Sequence, residues 1–286
     1  MSGASGPLLI LLAAVLWGTT GTAQAFAPSS AASLSIGAVR QAIAGLALLG
    51  LAAGRGSLRA GPHRWPVWTT LLAAACMAGY QLTFFAGVAR TGVAMGTMIA
   101  IGSAPVLAGG FGWLLRGERP ARRWFFATAL ALLGCVLLVA TGRQVQLNLA
   151  GMALALAAGA CYAAYAVLNK NLLDTHPPDA ALALIFCLGA LLLSPLLFSL
   201  DLAWLLQPRG LLVALHLGLV ATTLAYSLFA AGLRYTPVAS AVTLSLAEPF
   251  TAALLGIFLL GERPAPSAWV GIALLFASLL LLSLRK

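Results

Sequence analysis

The sequence predicts an all-α integral membrane protein: ten transmembrane helices arranged as two inverted five-helix repeats. Three observations predict it. The chain is 62% hydrophobic and only 8% charged, it contains ten long apolar stretches, and one tetrapeptide returns in register 144 residues later. A soluble domain carries roughly 25% charged residues, so lipid must be the solvent for most of this surface. Lipid offers no partner to an unpaired backbone N–H or C=O, and only helices and closed barrels satisfy all of theirs internally. Barrel strands alternate apolar and polar residues, whereas Leu130 to Val139 and Ile272 to Leu282 are almost unbrokenly apolar.

A membrane-spanning helix needs about 20 apolar residues. The first window that qualifies is 7–27. Ala23-Gln24-Ala25 at its end resembles a signal-peptidase site, but no positive region precedes it and Gly18 to Thr22 interrupt the apolar run, so the helix is expected to be retained. The second and third windows, 35–53 and 67–88, are divided by Gly54-Arg55-Gly56. The fourth, 94–115, ends on Gly117-Glu118-Arg119-Pro120, and the fifth is 124–141. The sixth, 150–169, is separated from the seventh, 180–199, by His176-Pro177-Pro178-Asp179. The last three are 210–231, 238–260 and 268–284, and no loop is long enough to hold a soluble domain.

Gly-Glu-Arg-Pro occurs at 117–120 and again at 261–264. At the same offset Phe85 meets Phe229, Arg90 meets Arg234, Pro105 meets Pro249 and Gly112 meets Gly256. The 37 positions from 84 to 120 hold eleven identities without a gap. Residues 1–142 and 143–286 are therefore expected to be two homologous units of five helices. Because five is odd, the second unit starts on the opposite side of the membrane and must be inverted.

Charge orients the chain. With the N-terminus in the cytoplasm, eleven Lys and Arg fall inside: Arg55, Arg59, Arg64, Arg116, Arg119, Arg122, Arg123, Lys170, Arg234, Arg285 and Lys286. Five fall outside: Arg40, Arg90, Arg143, Arg209 and Arg263. That bias is the positive-inside pattern, and it predicts an inner-membrane protein with both termini cytoplasmic. It also accounts for the net charge of +10 without nucleic acid, since no basic cluster is interleaved with aromatics. Anionic lipid headgroups are the expected partner of this charge. Cys76, Cys135, Cys161 and Cys187 lie in apolar stretches, and His63, His176 and His216 are far apart. No metal, disulfide or other cofactor is expected.

Several residues carry a family likeness: Leu16-Trp17-Gly18, Arg40, Ala104-Pro105 leading to Leu115-Arg116-Gly117-Glu118, and Glu248-Pro249 leading to Leu260-Gly261-Glu262. On these the chain resembles the ten-helix EamA-type branch of the drug/metabolite transporter superfamily over essentially its whole length. Within that branch it is similar to YddG-type exporters of aromatic and other amino acids. Small multidrug exporters fit less well, because their first helix carries a Glu and this one has none. Sugar-phosphate carriers fit less well too, since no Lys or Arg lies at mid-membrane depth.

Trp17, Thr20, Gly21 and Gln24 share one helical face, Tyr80 and Phe84 another, and Tyr162, Tyr165 and Asn169 a third. His216, Thr223 and Tyr226 run along the eighth window, and Met98 lies in the fourth. Such residues often serve as packing glue between helices. At mid-depth they also suit a cavity, so Trp17, Gln24, Tyr80, Phe84, Met98, Tyr162, Tyr165, His216, Thr223 and Tyr226 are the candidate cavity residues. His216 stands alone and reads more readily as a helix–helix hydrogen-bond partner. Trp65, Trp68, Trp124, Trp204 and Trp269 are expected in the interfacial belt, and Arg40 is expected to snorkel or to cap a loop carbonyl, the alternative being a substrate carboxylate. Glu248 is the one acidic residue near the centre of a span; it is either a coupling residue or a helix-packing one. Pro105 and Pro249 are expected to kink matched helices, with Pro249 freeing the carbonyl of Ser245.

Inverted repeats, paired prolines and a polar-aromatic midplane predict a secondary transporter working by alternating access. The resemblance implies export of amino acids or similar small metabolites. A passive uniporter and an exporter of unrelated substrates remain as alternatives. No GxxxxGK[ST], HExxH or GxSxG run occurs, so a membrane-embedded enzyme or built-in ATP hydrolysis is not expected. The expected partners are a small-molecule substrate and the bilayer, with no nucleic acid and no obligate protein.

Overall fold

A computed structural model describes residues 5–59, 65–139 and 148–283. His63, Arg64, Arg143, Arg285, Lys286 and the expected 142/143 junction lie outside the described residues. Every regular element among those described is helical. The first half contains α1 (Ser5–Ala25), α2 (Ser33–Gly54), α3 (Val67–Thr91), α4 (Val93–Arg116) and α5 (Arg122–Val139). The second contains α6 (Leu149–Leu173), α7 (Pro178–Ser199), a short 3₁₀ turn (Ala203–Leu206), α8 (Pro208–Leu215), a π-helical segment (His216–Leu224), α9 (Ala225–Leu233), α10 (Val238–Leu244), α11 (Ala247–Leu259) and α12 (Pro266–Ser283).

Nine stretches among the described residues are long and apolar enough to cross a membrane. Two are composite: Pro208–Leu233 joins α8, the π segment and α9, and Val238–Leu259 joins α10 and α11. α5 fills the tenth position and lies along α12; the window expected for it, 124–141, runs past the described part. Prolines start α7 and α8, where the missing N–H would have lacked a partner anyway.

The packing has the reciprocity of an inverted repeat. α3 packs on α6, and its counterpart α9, with the π segment, packs on α1. α4 also packs on α6, while its counterpart α11 packs on α1. α2 pairs with its own equivalent α7, and α5 with its own equivalent α12. Pairing with self and exchange of partners between the other helices is what a two-fold pseudo-axis in the membrane plane produces.

Lipid supplies no hydrophobic drive between helices, so close contact must come from small residues. The interior is accordingly rich in alanine, with Ala13, Ala14, Ala44, Ala52, Ala73, Ala158, Ala166 and Ala230 fully buried. Large apolar side chains such as Leu46, Phe126, Phe198 and Phe258 point outward. α5 and α12 approach so closely that a Cβ on Gly271 would stand 2.6 Å from the Gly134 carbonyl oxygen. α1 belongs to this interior: Ile10, Ala13 and Ala14 are sealed inside. The tryptophans divide. Trp68 and Trp269 are exposed, as a belt requires. Trp124 and Trp204 are buried instead, because Trp124 donates Nε1–H to Thr243 Oγ1 at 2.9 Å and Trp204 packs among Ile36, Val39 and Leu217. Trp65 sits edge-on to His176, ring centroids 4.2 Å apart.

Candidate substrate cavity

Local sequence opens the site. Pro249 has no N–H, so the α-helical ladder cannot continue through it. The Ser245 carbonyl, which Pro249 would leave unpaired, accepts instead from Glu248 N–H at 2.9 Å. The span therefore breaks between α10 and α11, and Glu248 stands in the first turn of α11. Its counterpart Pro105 lies inside an unbroken α4. Discontinuous helices are tolerated at membrane depth where they line a cavity.

That cavity is about 1600 Å³, larger than the 300–1,000 Å³ or so of an ordinary enclosed ligand pocket, because it merges an interior chamber with a path out of the bundle. Its inner walls are aromatic. Trp17 lies against Tyr226 with centroids 4.9 Å apart and edge-on to Tyr162 at 6.4 Å. Tyr80 stacks on Phe84 at 5.6 Å and faces Tyr162 at 6.0 Å. The Tyr162 hydroxyl reaches Ser245 Oγ at 3.3 Å, which ties the aromatic wall to the helix break.

Polar groups interrupt the wall at few points. Arg40 Nη2 donates to Gln81 Oε1 at 3.2 Å, and both residues line the cavity. Arg40 thus bonds a side chain of α3 rather than a loop carbonyl. Glu248 also lines it, and its carboxyl has no hydrogen-bond or ion-pair partner among the described residues. Buried Nε1 of Trp17 and Nε of Arg40 are unpaired as well.

The cavity opens at one end of the bundle, between Gln24, Thr91, Gly92 and the second Gly-Glu-Arg-Pro at Glu262 to Pro264. The opposite end is closed by the first copy of that motif. In both copies glycine takes the left-handed conformation, φ 67° at Gly117 and 70° at Gly261. Both following N–H groups bond back six residues, Glu118 to Gly112 and Glu262 to Gly256; this is a glycine-terminated helix end. The identical turns deliver their glutamates to unlike places. Glu262 faces the cavity mouth. Glu118 accepts from Arg116 Nε at 2.9 Å and from the Val238 N–H at 2.7 Å, and pairs with Lys170 Nζ at 3.3 Å. Lys170 also donates to the Thr236 carbonyl, and Arg116 to Asn171 and Asp174. Burial alone would raise the Glu118 carboxyl, but Arg116, the Val238 N–H and Lys170 outweigh it and hold it below the ordinary carboxylate range. The cluster fastens α4 to α6 and to the start of α10, joining the two halves.

Of the candidate cavity residues, Trp17, Gln24, Tyr80, Phe84, Met98, Tyr162 and Tyr226 line the chamber together, with Glu248 and Pro249. Tyr165, His216 and Thr223 do not line it. Tyr165 is fully buried and accepts from Asn169 Nδ2 at 3.2 Å. His216 Nε2 meets Thr19 Oγ1 at 2.9 Å, a bond between helices. Thr223 donates to the Gly218 carbonyl at 2.9 Å. Both belong to the π segment, where i→i+5 bonding makes each turn wider, so they do not keep α-helical spacing with Tyr226. Sequence reasoning passed over Gln81, Glu118 and Lys170. A signal did exist: Glu118 is one of only six acidic residues, and Lys170 is the only lysine before the C-terminal residue.

Membrane-spanning helices in two inverted sets, a broken span at mid-depth and one large cavity open at one end define a multi-pass membrane transporter. Comparison with known proteins agrees. The EamA-like transporter family model matches twice, at residues 4–140 and 149–284, and the chain belongs to that family. It is 49% identical to the uncharacterized transporter YwfM of Bacillus subtilis over 283 residues, 99% of this chain and 95% of that one. It is 27% identical to the uncharacterized inner membrane transporter YicL of Salmonella typhimurium, over 98% of this chain and 95% of that one. The threonine/homoserine exporter RhtA of Escherichia coli is 34% identical over 173 residues, 58% of this chain and 55% of that protein. A crystal structure with 20% identity superposes with a TM-score of 0.84, covering 98% of this chain and 96% of the other, which speaks to the fold alone.

Proposed function

We propose that this protein is a bacterial inner-membrane exporter of neutral amino acids or similar small metabolites. It works by alternating access, and both termini lie in the cytoplasm. Residues 1–142 and 143–286 are its two inverted units. The observation that carries the reading is a chamber walled by Trp17, Tyr80, Phe84, Tyr162 and Tyr226 that is open at one end and closed at the other by the ion pairs Arg116–Asp174 and Lys170–Glu118 between the halves. With the charge-derived orientation, the mouth at Glu262 faces the periplasm and the Glu118 cluster faces the cytoplasm. An exporter in this state has just released, or is about to reset. The aromatic wall suits a small solute with an apolar or weakly polar body. Export of amino acids is supported by the resemblance and by the name of the threonine/homoserine exporter.

A competition flux assay in proteoliposomes tests this, run across the neutral amino acids with and without a pH gradient. Saturable flux of at least one amino acid is expected, and no flux for any of them overturns the assignment. Flux that ignores a pH gradient removes proton coupling and leaves facilitated export. A reporter fused after Lys286 that proves periplasmic overturns the orientation.

A further inference from the structure

Arg40 and Glu248 stand in one aromatic chamber as opposite charges that do not pair with each other. A carboxylate at the depth of Glu248 is costly to hold, and a direct ion pair with Arg40 would recover part of that cost. Among the described residues the ion pairs join Arg55 to Asp179, Arg116 to Glu118, Arg116 to Asp174 and Lys170 to Glu118; none involves Arg40 or Glu248. The Arg40 guanidinium and the Glu248 backbone are nevertheless held. Gln81, 2% exposed, holds the Arg40 guanidinium from α3, beside the wall carrying Tyr80 and Phe84. The Glu248 backbone is held against α1: a Cβ on Gly18 would stand 2.9 Å from the Glu248 carbonyl oxygen and 2.6 Å from Thr251 Cβ, so this turn of α11 presses on the helix carrying Trp17. Tyr80 and Tyr226, between these walls, lie within electrostatic reach of both charges.

From this arrangement we infer that Arg40 and Glu248 are the two poles of a zwitterion site, Arg40 taking the α-carboxylate of a free amino acid and Glu248 its α-ammonium. The inference deepens the exporter reading and rests on it for the class of solute. A zwitterion has no net charge, so it can neutralise both poles at once and enter without adding charge to the membrane interior. The guanidinium offers a planar fork of donors to a carboxylate, and Arg40 has donors to spare beyond the one given to Gln81. The Glu248 carboxyl has no competing donor among the described residues. The aromatic rings then meet the side chain, which explains how one chamber could accept several neutral amino acids while rejecting compounds that lack either charge. Gln81 acts as a positioning residue for Arg40.

The test is equilibrium binding to the purified full chain. The probe is labelled L-threonine or L-phenylalanine, whichever binds the wild type more tightly. The competitors are its amide, which lacks the carboxylate, and its deaminated acid (3-hydroxybutyrate or 3-phenylpropionate), which lacks the ammonium. Each charged contact sets a penalty of about 10- to 100-fold for the competitor that cannot make it. Arg40→Gln should weaken the amino acid by that factor while sparing the amide, so their ratio falls toward one. Glu248→Gln should do the same for the deaminated acid. Thermal unfolding of each variant confirms folding, and Gly110→Ala, which lies outside the chamber and meets nothing within 4 Å, should leave both ratios unchanged. Unaltered ratios in folded variants overturn the inference, as does a wild type that binds amide and amino acid equally. Loss of pH-gradient dependence in Glu248→Gln with an unchanged competition pattern also overturns it and assigns Glu248 to protons. Binding without flux would instead refute the exporter reading while the site stands, and no binding of either amino acid refutes both.

Discussion

Replacing Glu118 by Gln tests whether the cluster at the closed end acts as a gate. The amide keeps an acceptor for the Val238 N–H, which is 2.7 Å from the carboxylate, but removes the charge that Arg116 and Lys170 share. Arg116 retains Asp174 at 2.9 Å, so its loss is partial. Lys170 is left with a single carbonyl, and its side chain is only 9% exposed. Removing one partner of a fully buried pair costs about 3–5 kcal/mol. Glu118 is 21% exposed, which pulls the figure toward the roughly 1.5–3 kcal/mol of a charged hydrogen bond. We take about 2 kcal/mol, or nearly 30-fold in the balance between states. The penalty falls on the closed arrangement, because opening this end lets water reach Lys170. If the wild type holds about 99% of molecules closed here, the variant holds roughly 80%, and the minor state rises about twentyfold. The assay is labelling of a cysteine at Met98, inside the cavity, with a membrane-impermeant thiol reagent from the closed side, in a background lacking the four native cysteines. The rate should rise about twentyfold in Glu118→Gln and further in Glu118→Ala, which also loses the Val238 bond. An unchanged rate in folded protein refutes the gate.

Three further outcomes follow. Glu118 is held below the ordinary carboxylate value in the closed state, so its contribution to closure is fully present above pH ~4.5 and is lost only as pH falls through the lowered value; closed-side labelling should be flat between pH 6 and 8, and a rise on going from 8 to 6 would contradict this. Glu262→Gln should leave closed-side labelling within about twofold of wild type, because Glu262 lies at the mouth and has no ion pair among the described residues. Gly271→Ala places a Cβ 2.6 Å from the Gly134 carbonyl and 2.8 Å from the Leu138 N. It should lose about 1–3 kcal/mol and lower the thermal midpoint in detergent, whereas Gly110→Ala, which meets nothing within 4 Å, should not.

The architecture was legible because its information is local and repetitive. Apolar length sets each span, and the 144-residue register with unequal loop charge sets their relation. The aromatic wall was legible for the same reason, since Trp17, Tyr80, Phe84, Tyr162 and Tyr226 are rings at mid-depth of a span. What escaped depends on the third dimension. Gln81 looks like one more polar residue until Arg40, 41 positions away, is seen to hang from it. Glu118 and Lys170 lie on different helices, and no spacing rule connects them. His216, read also as a helix–helix partner, bonds Thr19, and Thr223 lies outside the chamber; nothing obvious in His216-Leu-Gly-Leu-Val-Ala-Thr-Thr-Leu224 announces i→i+5 bonding. Trp124 and Trp204 look like belt residues by their place near span ends, yet each is covered by a neighbouring element.

The repeat matters mechanistically because it is imperfect in use rather than in form. Gly117 and Gly261 make the same turn, and each sends a glutamate past a glycine of its own helix, Gly112 or Gly256. At one end that glutamate caps α10 at Val238 and neutralises Lys170; at the other it stands in an open mouth. The position matching Val238 at the 144 offset is Ala94, at the start of α4, and the position matching Lys170 is Phe26. The second glutamate therefore has an equivalent helix start to cap but no equivalent cation to neutralise. Closure of the mouth can reuse the backbone half of the clamp and lacks its ionic half. If access alternates as proposed, Coulomb pairing at one end only makes the two access states unequal in energy, and the arrangement held by Glu118 and Lys170 is the favoured one for an empty transporter.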